Sequence, residues 1–177
     1  MRIVVHGGLL AAIAVATLSP ACSRQVKRVY IDPQRLRTEP MPALTCGYRL
    51  TEVVDGRPAG ERIGGLGRHQ LMLEDAPTLV KGQLLKAGLS ADAPAGAAAV
   101  KLEIKRLYLI QSQTSKVPVA VYQVSLEGAA PFLIRASKAS VNWNGSEDEA
   151  YTALGAALQD ANQQLLVALN GRCPHKG

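Results

Sequence analysis

Val100-Lys101-Leu102-Glu103-Ile104-Lys105-Arg106-Leu107-Tyr108-Leu109 is the stretch on which the fold turns. Val100, Leu102 and Ile104 alternate with Lys101, Glu103 and Lys105, the period-two signature of a half-buried strand with a charged outer face. Arg106 then stands where an apolar residue is due, and Leu107 and Leu109 take the next inward positions. That change of parity predicts a β-bulge near Lys105-Arg106.

Downstream, Gln111 to Lys116 is polar and reads as a loop. Val117 to Leu126 is apolar on both faces around Val119, Val121, Tyr122 and Val124, which marks a candidate central strand, although Pro118 argues for an edge at its start. Gly128 to Pro131 turns the chain, and Phe132 to Trp143 is a third strand with Ser137, Lys138 and Ser140 on its polar side. Asn144-Gly145 then leads into a long helix. Ser146 and Glu149 form a capping box, with Glu147 and Asp148 in the positive first turn. Tyr151, Leu154, Leu158, Leu165 and Leu169 return at helical spacing with Ala150, Ala153, Ala157 and Ala161 between them. Gly171 ends the helix, and Cys173 follows.

Upstream, Asp75 or Ala76 caps a helix with Pro77 in its first turn, running past Val80, Leu84 and Leu85 to Gly88. His69 to Leu73 suggests a short strand. Gly64-Gly65-Leu66-Gly67 is glycine-rich but lacks the Gly-Lys-Ser/Thr ending of a phosphate loop, so Ala59 to Arg68 reads as a flexible hairpin or exposed loop. Cys46 to Val54 alternates as a strand, and Asp55-Gly56-Arg57-Pro58 is a turn. Ser23 to Thr45 carries Arg24, Lys27, Arg28, Arg35 and Arg37 with Pro33, Pro40 and Pro42, so it is a tether or an extended strap lying on the domain, with Val29-Tyr30-Ile31 as its one short strand. Its basic residues Arg24, Lys27 and Arg28 are either membrane-proximal contacts or part of a solvated linker.

Met1 to Cys22 carries no fold information but gives an address. Arg2 precedes an apolar run from Ile3 to Leu18, too short to span a bilayer, and Ser19-Pro20-Ala21-Cys22 closes it with small residues. This end resembles a bacterial lipoprotein signal, whose cysteine is acylated and becomes the mature N-terminus; here Leu18 lies four positions before Cys22 rather than three. Ordinary signal-peptidase cleavage, leaving a soluble protein, and an uncleaved anchor helix are the alternatives. The cysteine count bears on the choice. Cys22, Cys46 and Cys173 make an odd number, and a lipid on Cys22 leaves Cys46 and Cys173 free to pair in an oxidising compartment.

Composition narrows the function classes. The 177 residues carry 20 Lys and Arg against 14 Asp and Glu, a net charge of +6. One Trp, one Phe and five Tyr leave few stacking platforms for nucleic acid. In an exported chain the positive balance points to anionic lipid or acidic partners. There is no Cys-x-x-Cys or His-x-x-His spacing for a metal, no nucleophile elbow and no paired-carboxylate motif. His69 is a lone histidine. No metal, cofactor or enzymatic activity is expected.

The expectation is therefore an α+β domain at 46–177: an antiparallel sheet of about four strands with two helices packed on one face. It follows a signal peptide at 1–21 and a lipidated N-terminus with a basic tether at 22–45. The order of elements, with Lys81-Gly82-Gln83-Leu84-Leu85-Lys86-Ala87-Gly88 followed by Val100-Lys101-Leu102-Glu103-Ile104, resembles the auxiliary lipoproteins of ABC-type envelope transporters and the lipopolysaccharide-assembly lipoprotein. That resemblance implies a non-catalytic component docking onto a protein partner in an envelope complex, with strand Val117 to Leu126 or the open sheet face as the docking surface. Ser23 after Cys22, rather than Asp, implies the outer membrane, facing the periplasm. A periplasmic binding module for a lipid or other amphiphile, held between helices and sheet, is the alternative.

Overall fold

The computed structural model describes residues 26–36, 39–66, 69–93, 96–111, 115–137, 140–141 and 146–173. Its principal sheet has the strand order β2-β5-β6-β7, built from β2 (Tyr48–Asp55), β5 (Ala98–Gln111), β6 (Ser115–Leu126) and β7 (Phe132–Ser137), with β8 (Ser140–Val141) paired to the start of β6. A smaller sheet, in the order β1-β4-β3, holds β1 (Lys27–Tyr30), β3 (Gly64–Leu66) and β4 (His69–Met72). Helices α1 (Ala76–Lys86) and α2 (Glu147–Asn170) complete the α+β fold.

Strand β5 carries the alternation read from its sequence. Val100, Leu102, Ile104, Leu107 and Leu109 are all buried, and the register with β6 shifts between Ile104 and Arg106. The bulge keeps both leucines pointing inward after the insertion of one residue. Strand β6 is central, antiparallel to β5 on one side and to β7 on the other. Pro118 sits beyond the β7 ladder, which reaches Val119, and beside the β8 ladder, which reaches Lys116. Its missing N–H therefore falls between the two ladders on that side.

Strand β2 departs from the antiparallel expectation, because it pairs parallel to β5. The chain leaves β2, makes the β3–β4 hairpin and returns along α1 before entering β5. A crossover helix of this kind delivers the next strand in the same direction. The interior of the principal sheet is then covered on one face. Tyr151, Leu154, Leu158, Leu165 and Leu169 of α2 and Val80 and Leu84 of α1 join Leu102, Ile104, Tyr122 and Val124 in one core.

Both helices end as their sequences require. Asp75 caps α1 by accepting from the Thr78 N–H at 3.2 Å, and Ser146 and Glu149 form the expected capping box on α2. Gly88, at φ +99°, terminates α1 in a Schellman arrangement: its N–H bonds the Leu85 carbonyl and the Leu89 N–H bonds that of Leu84. Leu89 is buried against the core as that motif favours.

Three expectations change in the smaller sheet and its surroundings. Of the glycine-rich segment, the hairpin is right and the exposed loop is not: Ile63 and Gly64 are buried, and the Leu109 N–H donates to the Ile63 carbonyl at 2.7 Å. Gly64 has φ +144°, and a Cβ there would lie 2.8 Å from that of Leu109. Lys116, read as a loop residue, is inside β6 and only 5% exposed, donating from Nζ to the Gly65 carbonyl at 2.7 Å. The third strand is β7 with β8 beyond it; Trp143 and the Asn144-Gly145 turn lie outside the described residues.

Two alanine substitutions separate these glycine roles. Gly64→Ala combines a backbone angle that L-residues avoid with an overpacked contact, and is expected to destabilise by about 3 kcal/mol. Gly82, inside α1 with open space around it, gains helix propensity as Ala, and Gly82→Ala is expected to stabilise by about 0.5–1 kcal/mol. Urea denaturation of the two variants checks both signs.

Candidate functional site

The strap is the element whose role the sequence left open. Of the two readings offered for it, the described part from residue 26 onward lies on the domain. Strand β1 pairs parallel to β4, and the Ile31 N–H donates to the Met72 carbonyl at 2.8 Å. The strap then follows α2 from one end to the other. The Asp32 N–H donates to the Tyr151 hydroxyl at 2.9 Å, and the Arg35 guanidinium pairs with Glu147 and Asp148 while stacking 4.0 Å over the Tyr151 ring. Midway, Gln159 both accepts from the Glu39 N–H and donates to the Glu39 carbonyl. At the far end Asn170 accepts from the Thr45 N–H at 2.9 Å and donates to the Ala43 carbonyl at 3.0 Å. Side-chain amides of α2 thus satisfy strap backbone that no ladder pairs.

The strap closes on the disulfide. Cys46 and Cys173 are joined, with Cα atoms 5.9 Å apart and a sequence separation of 127. Beside it the Tyr48 hydroxyl donates to the Leu169 carbonyl at 2.8 Å, filling one of the open acceptors at the end of α2. Burial raises the Tyr48 pKa against the opposing charge of Arg172, so the hydroxyl stays a donor. Arg172 itself lies over the Phe132 ring, 4.1 Å from its centre, and ties the same helix end to β7.

The other predicted site residues fall at the strap's beginning. Cys22 and Arg24 lie outside the described residues. Lys27 and Arg28 are exposed on β1, next to exposed Val26 and Tyr30. His69 is exposed on β4, paired with Lys27 in register. Among the described residues no three His, Cys, Asp or Glu side chains gather to hold a metal ion, and no helix is long and apolar enough to cross a membrane.

Two buried polar arrangements escaped the sequence reading. Asn162 of α2 is fully buried, accepts from the Tyr122 hydroxyl of β6 at 3.3 Å and donates to Gln83 of α1 at 2.8 Å. Burial holds the Tyr122 hydroxyl far above its ordinary pKa, so it acts as a permanent donor. The second is Arg57, whose side chain is 4% exposed. It makes a two-pronged contact with Asp55 at 2.8 and 2.7 Å and reaches the Leu73 carbonyl at 3.0 Å, while its Nη1 has no hydrogen-bond partner among the described residues. Burial pulls the Asp55 carboxyl upward, but the hydrogen bonds and charge of Arg57 outweigh it and leave the pKa below the ordinary carboxylate value.

Two surfaces among the described residues are open to a partner or ligand. One is a cleft of about 410 Å³ between the strap and the end of α1, lined by Glu39, Pro40, Met41, Gln83, Lys86 and Ala87. It does not lie between helices and sheet, where an amphiphile was expected; that space is filled by the core side chains. The other is the face of the principal sheet turned away from both helices. Exposed Leu133 and Ile110 stand on it.

No family model and no curated protein matches the sequence. Solved structures do. A Xanthomonas campestris protein described under the family model DUF330 superposes with a TM-score of 0.52 at 13% identity, over 82% of this chain and 97% of that one. A minor lipoprotein from Acinetobacter baumannii gives 0.43 at 13% identity, over 69% and 94%. A hypothetical protein from Chlamydia trachomatis gives 0.41 at 12%, over 70% and 95%. The first of these likenesses establishes a shared fold.

Asp55→Asn should strand the buried guanidinium of Arg57 and cost about 3 kcal/mol, whereas replacing the pair together as Asp55→Leu/Arg57→Met should cost much less. Because the folded pKa of Asp55 is lowered, its contribution is complete above the ordinary carboxylate range and is lost as pH falls through the folded value. The stability gap between wild type and Asp55→Asn should therefore close on acidification, in denaturant titrations run across that range. Cys46→Ala/Cys173→Ala removes a cross-link over a long loop, for which the chain-entropy model gives about 5 kcal/mol; the same titrations at neutral pH read it.

Proposed function

We propose that the protein is a non-catalytic, lipid-anchored accessory component of a bacterial envelope transport or assembly complex, acylated on Cys22 and held at the outer membrane facing the periplasm. The observation that carries this reading is the one-sided architecture behind the signal-like end Ser19-Pro20-Ala21-Cys22. Helices, strap and small sheet all lie on one face of the principal sheet, and no described element covers the other. The Xanthomonas campestris structure supports the fold alone.

The geometry also limits how far the domain can move from its anchor. Five residue steps separate Cys22 from Lys27, at most roughly 17 Å of extended chain. An acylated Cys22 would hold β1, with Lys27, Arg28 and Tyr30, against the headgroups, where each cation near an anionic surface is worth about 1 kcal/mol. The tether is thus far shorter than 22–45, because the fold starts at β1.

A second reading, a binding module for a lipid or other amphiphile, is favoured by the cleft between strap and α1, whose volume falls within the range of small-molecule sites. It is lined in part by the charged side chains Glu39 and Lys86, so it takes second place.

The intact mass of the membrane-extracted protein, with and without reduction, tests the leading reading. The expected mass is that of residues 22–177 plus a multi-acyl glyceryl group with palmitate-sized chains, gaining two hydrogens on reduction. An unmodified chain in the soluble periplasmic fraction would overturn the anchor.

A further inference from the structure

The face of the principal sheet that no described element covers has a definite chemistry, set by strand register. Val121 of β6 lies opposite Arg106 of β5 on one side and opposite Arg135 of β7 on the other. Directly opposed residues of antiparallel strands project from the same face. The neighbours fix which face this is. Leu107 and Ala120 beside the row, and Ile134 and Ala136 flanking Arg135, are all buried in the core, so Arg106, Val121 and Arg135 point away from it. The two arginines are two strand spacings apart, about 10 Å between Cα atoms. Their long side chains flank a valine floor.

The rows on either side carry apolar side chains among polar ones, with Glu103 opposite Gln123 in one and Ser137 opposite Val119 in the other. Tyr108 lies opposite Val119 in the next row, and Leu133 stands opposite Gln123 in the row before. Leu133 is 65% exposed, an unusual position for a leucine in a sheet that has a core to fill. The acids of this face are already engaged: Glu103 binds Lys105 and Glu52 binds Lys101. Arg106 and Arg135 are exposed, and neither has an ion-pair partner among the described residues. A row of two unpaired guanidinium groups bordered by tyrosine and aliphatic side chains has the composition of a protein-interface centre.

We infer that this face docks a protein segment presenting an Asp or Glu carboxylate beside apolar side chains, with Arg106 and Arg135 clasping the carboxylate above Val121, and half-buried Tyr108 and exposed Leu133 receiving its neighbours. The inference rests on the accessory-component reading and gives its docking surface a specificity. A bilayer is the poorer occupant on two counts. Recognition of anionic lipid reads from clusters of four to eight cations, and Lys101 and Lys105, the other cations of β5 on this face, are neutralised by Glu52 and Glu103. The strap that leads back to the N-terminus also lies on the opposite side of the sheet, packed along α2.

In-cell photo-crosslinking of the full chain tests it, with p-benzoylphenylalanine replacing Leu133 and, as controls, exposed Lys81 of α1 and Thr152 of α2. A protein adduct from position 133 is expected, whose crosslinked peptide holds an acidic residue among apolar ones. Its yield should fall about tenfold or more in Arg106→Glu/Arg135→Glu, since charge-assisted bidentate contacts are lost and repulsion replaces them. Arg106→Gln/Arg135→Gln, with an unchanged melting temperature, should show the same direction of loss without a charge reversal. Changing the partner's acid to Arg should restore the adduct in the reversed variant.

Adducts at 133 that ignore the arginines, or that prove to be phospholipid or a second copy of this chain, would overturn the inference. Protein adducts from the control positions alone would overturn it while leaving the accessory reading standing. An acylated chain with no protein adduct from any position would overturn both.

Discussion

Burial of a single face of one sheet is the constraint from which the remaining architecture follows. Leu102, Ile104, Leu107 and Leu109 of β5 and Tyr122 and Val124 of β6 turn inward, each within about 1% of full burial. A fully buried side chain of this kind contributes roughly 1.5–3 kcal/mol, and the layer that buries them must come from the same chain. Helix α2 supplies most of it, and its alanines at 150, 153, 157 and 161 let it lie close to the sheet. Helix α1 covers β2, while the β3–β4 hairpin covers the far end of β5. The bulge at Arg106 is part of this design. Were the strand regular there, Leu107 and Leu109 would turn to solvent and Arg106 and Tyr108 to the core.

The layers are then fixed relative to one another by polar contacts that a purely apolar core would not provide. Tyr122, Asn162 and Gln83 join sheet, α2 and α1 in one buried chain of hydrogen bonds. Such a network tolerates little sliding, because any shift leaves a buried amide unpaired. The strap acts on the outside of α2 in a comparable way. It is anchored at Tyr151, at Gln159 and at Asn170, and the disulfide at its end joins it covalently to the last turn. The long helix is held along its length and not only at its apolar stripe.

These contacts give the molecule two unlike sides. One holds the helices, the strap and the way back to the N-terminus. On the other, no described element covers the sheet, which carries arginine, tyrosine and aliphatic side chains beside the Lys101–Glu52 and Lys105–Glu103 pairs. On the proposed reading, a short tether from an acylated Cys22 restricts orientation, and a restricted orientation makes a directional surface useful. The cleft between strap and α1 belongs to the first side and is bounded below by Gln83, which also belongs to the buried network.

The sequence by itself determined what depends on local periodicity and local chemistry. The alternation of β5, the parity change at Arg106, the both-sided apolarity of β6 and the capping box at Ser146 are properties of neighbouring residues, and each is visible within a window of about ten. The pairing of Cys46 with Cys173 was open to reasoning from an odd cysteine count. Tertiary structure decided whatever depends on residues far apart in the chain. Asn162 and Gln83 look like ordinary polar helix positions until the two helices face each other across Tyr122. Lys116 and Gly64 look like loop residues until β3 is laid against β5. The parallel direction of β2 follows from where the crossover helix lands, and the strap is recognisable as part of the fold only once α2 offers amides to its unpaired backbone. Arg106 and Arg135 are 29 residues apart in number and become neighbours across Val121 only through register. Periodicity within a segment fixes which face a residue takes; contact between segments fixes what that face meets.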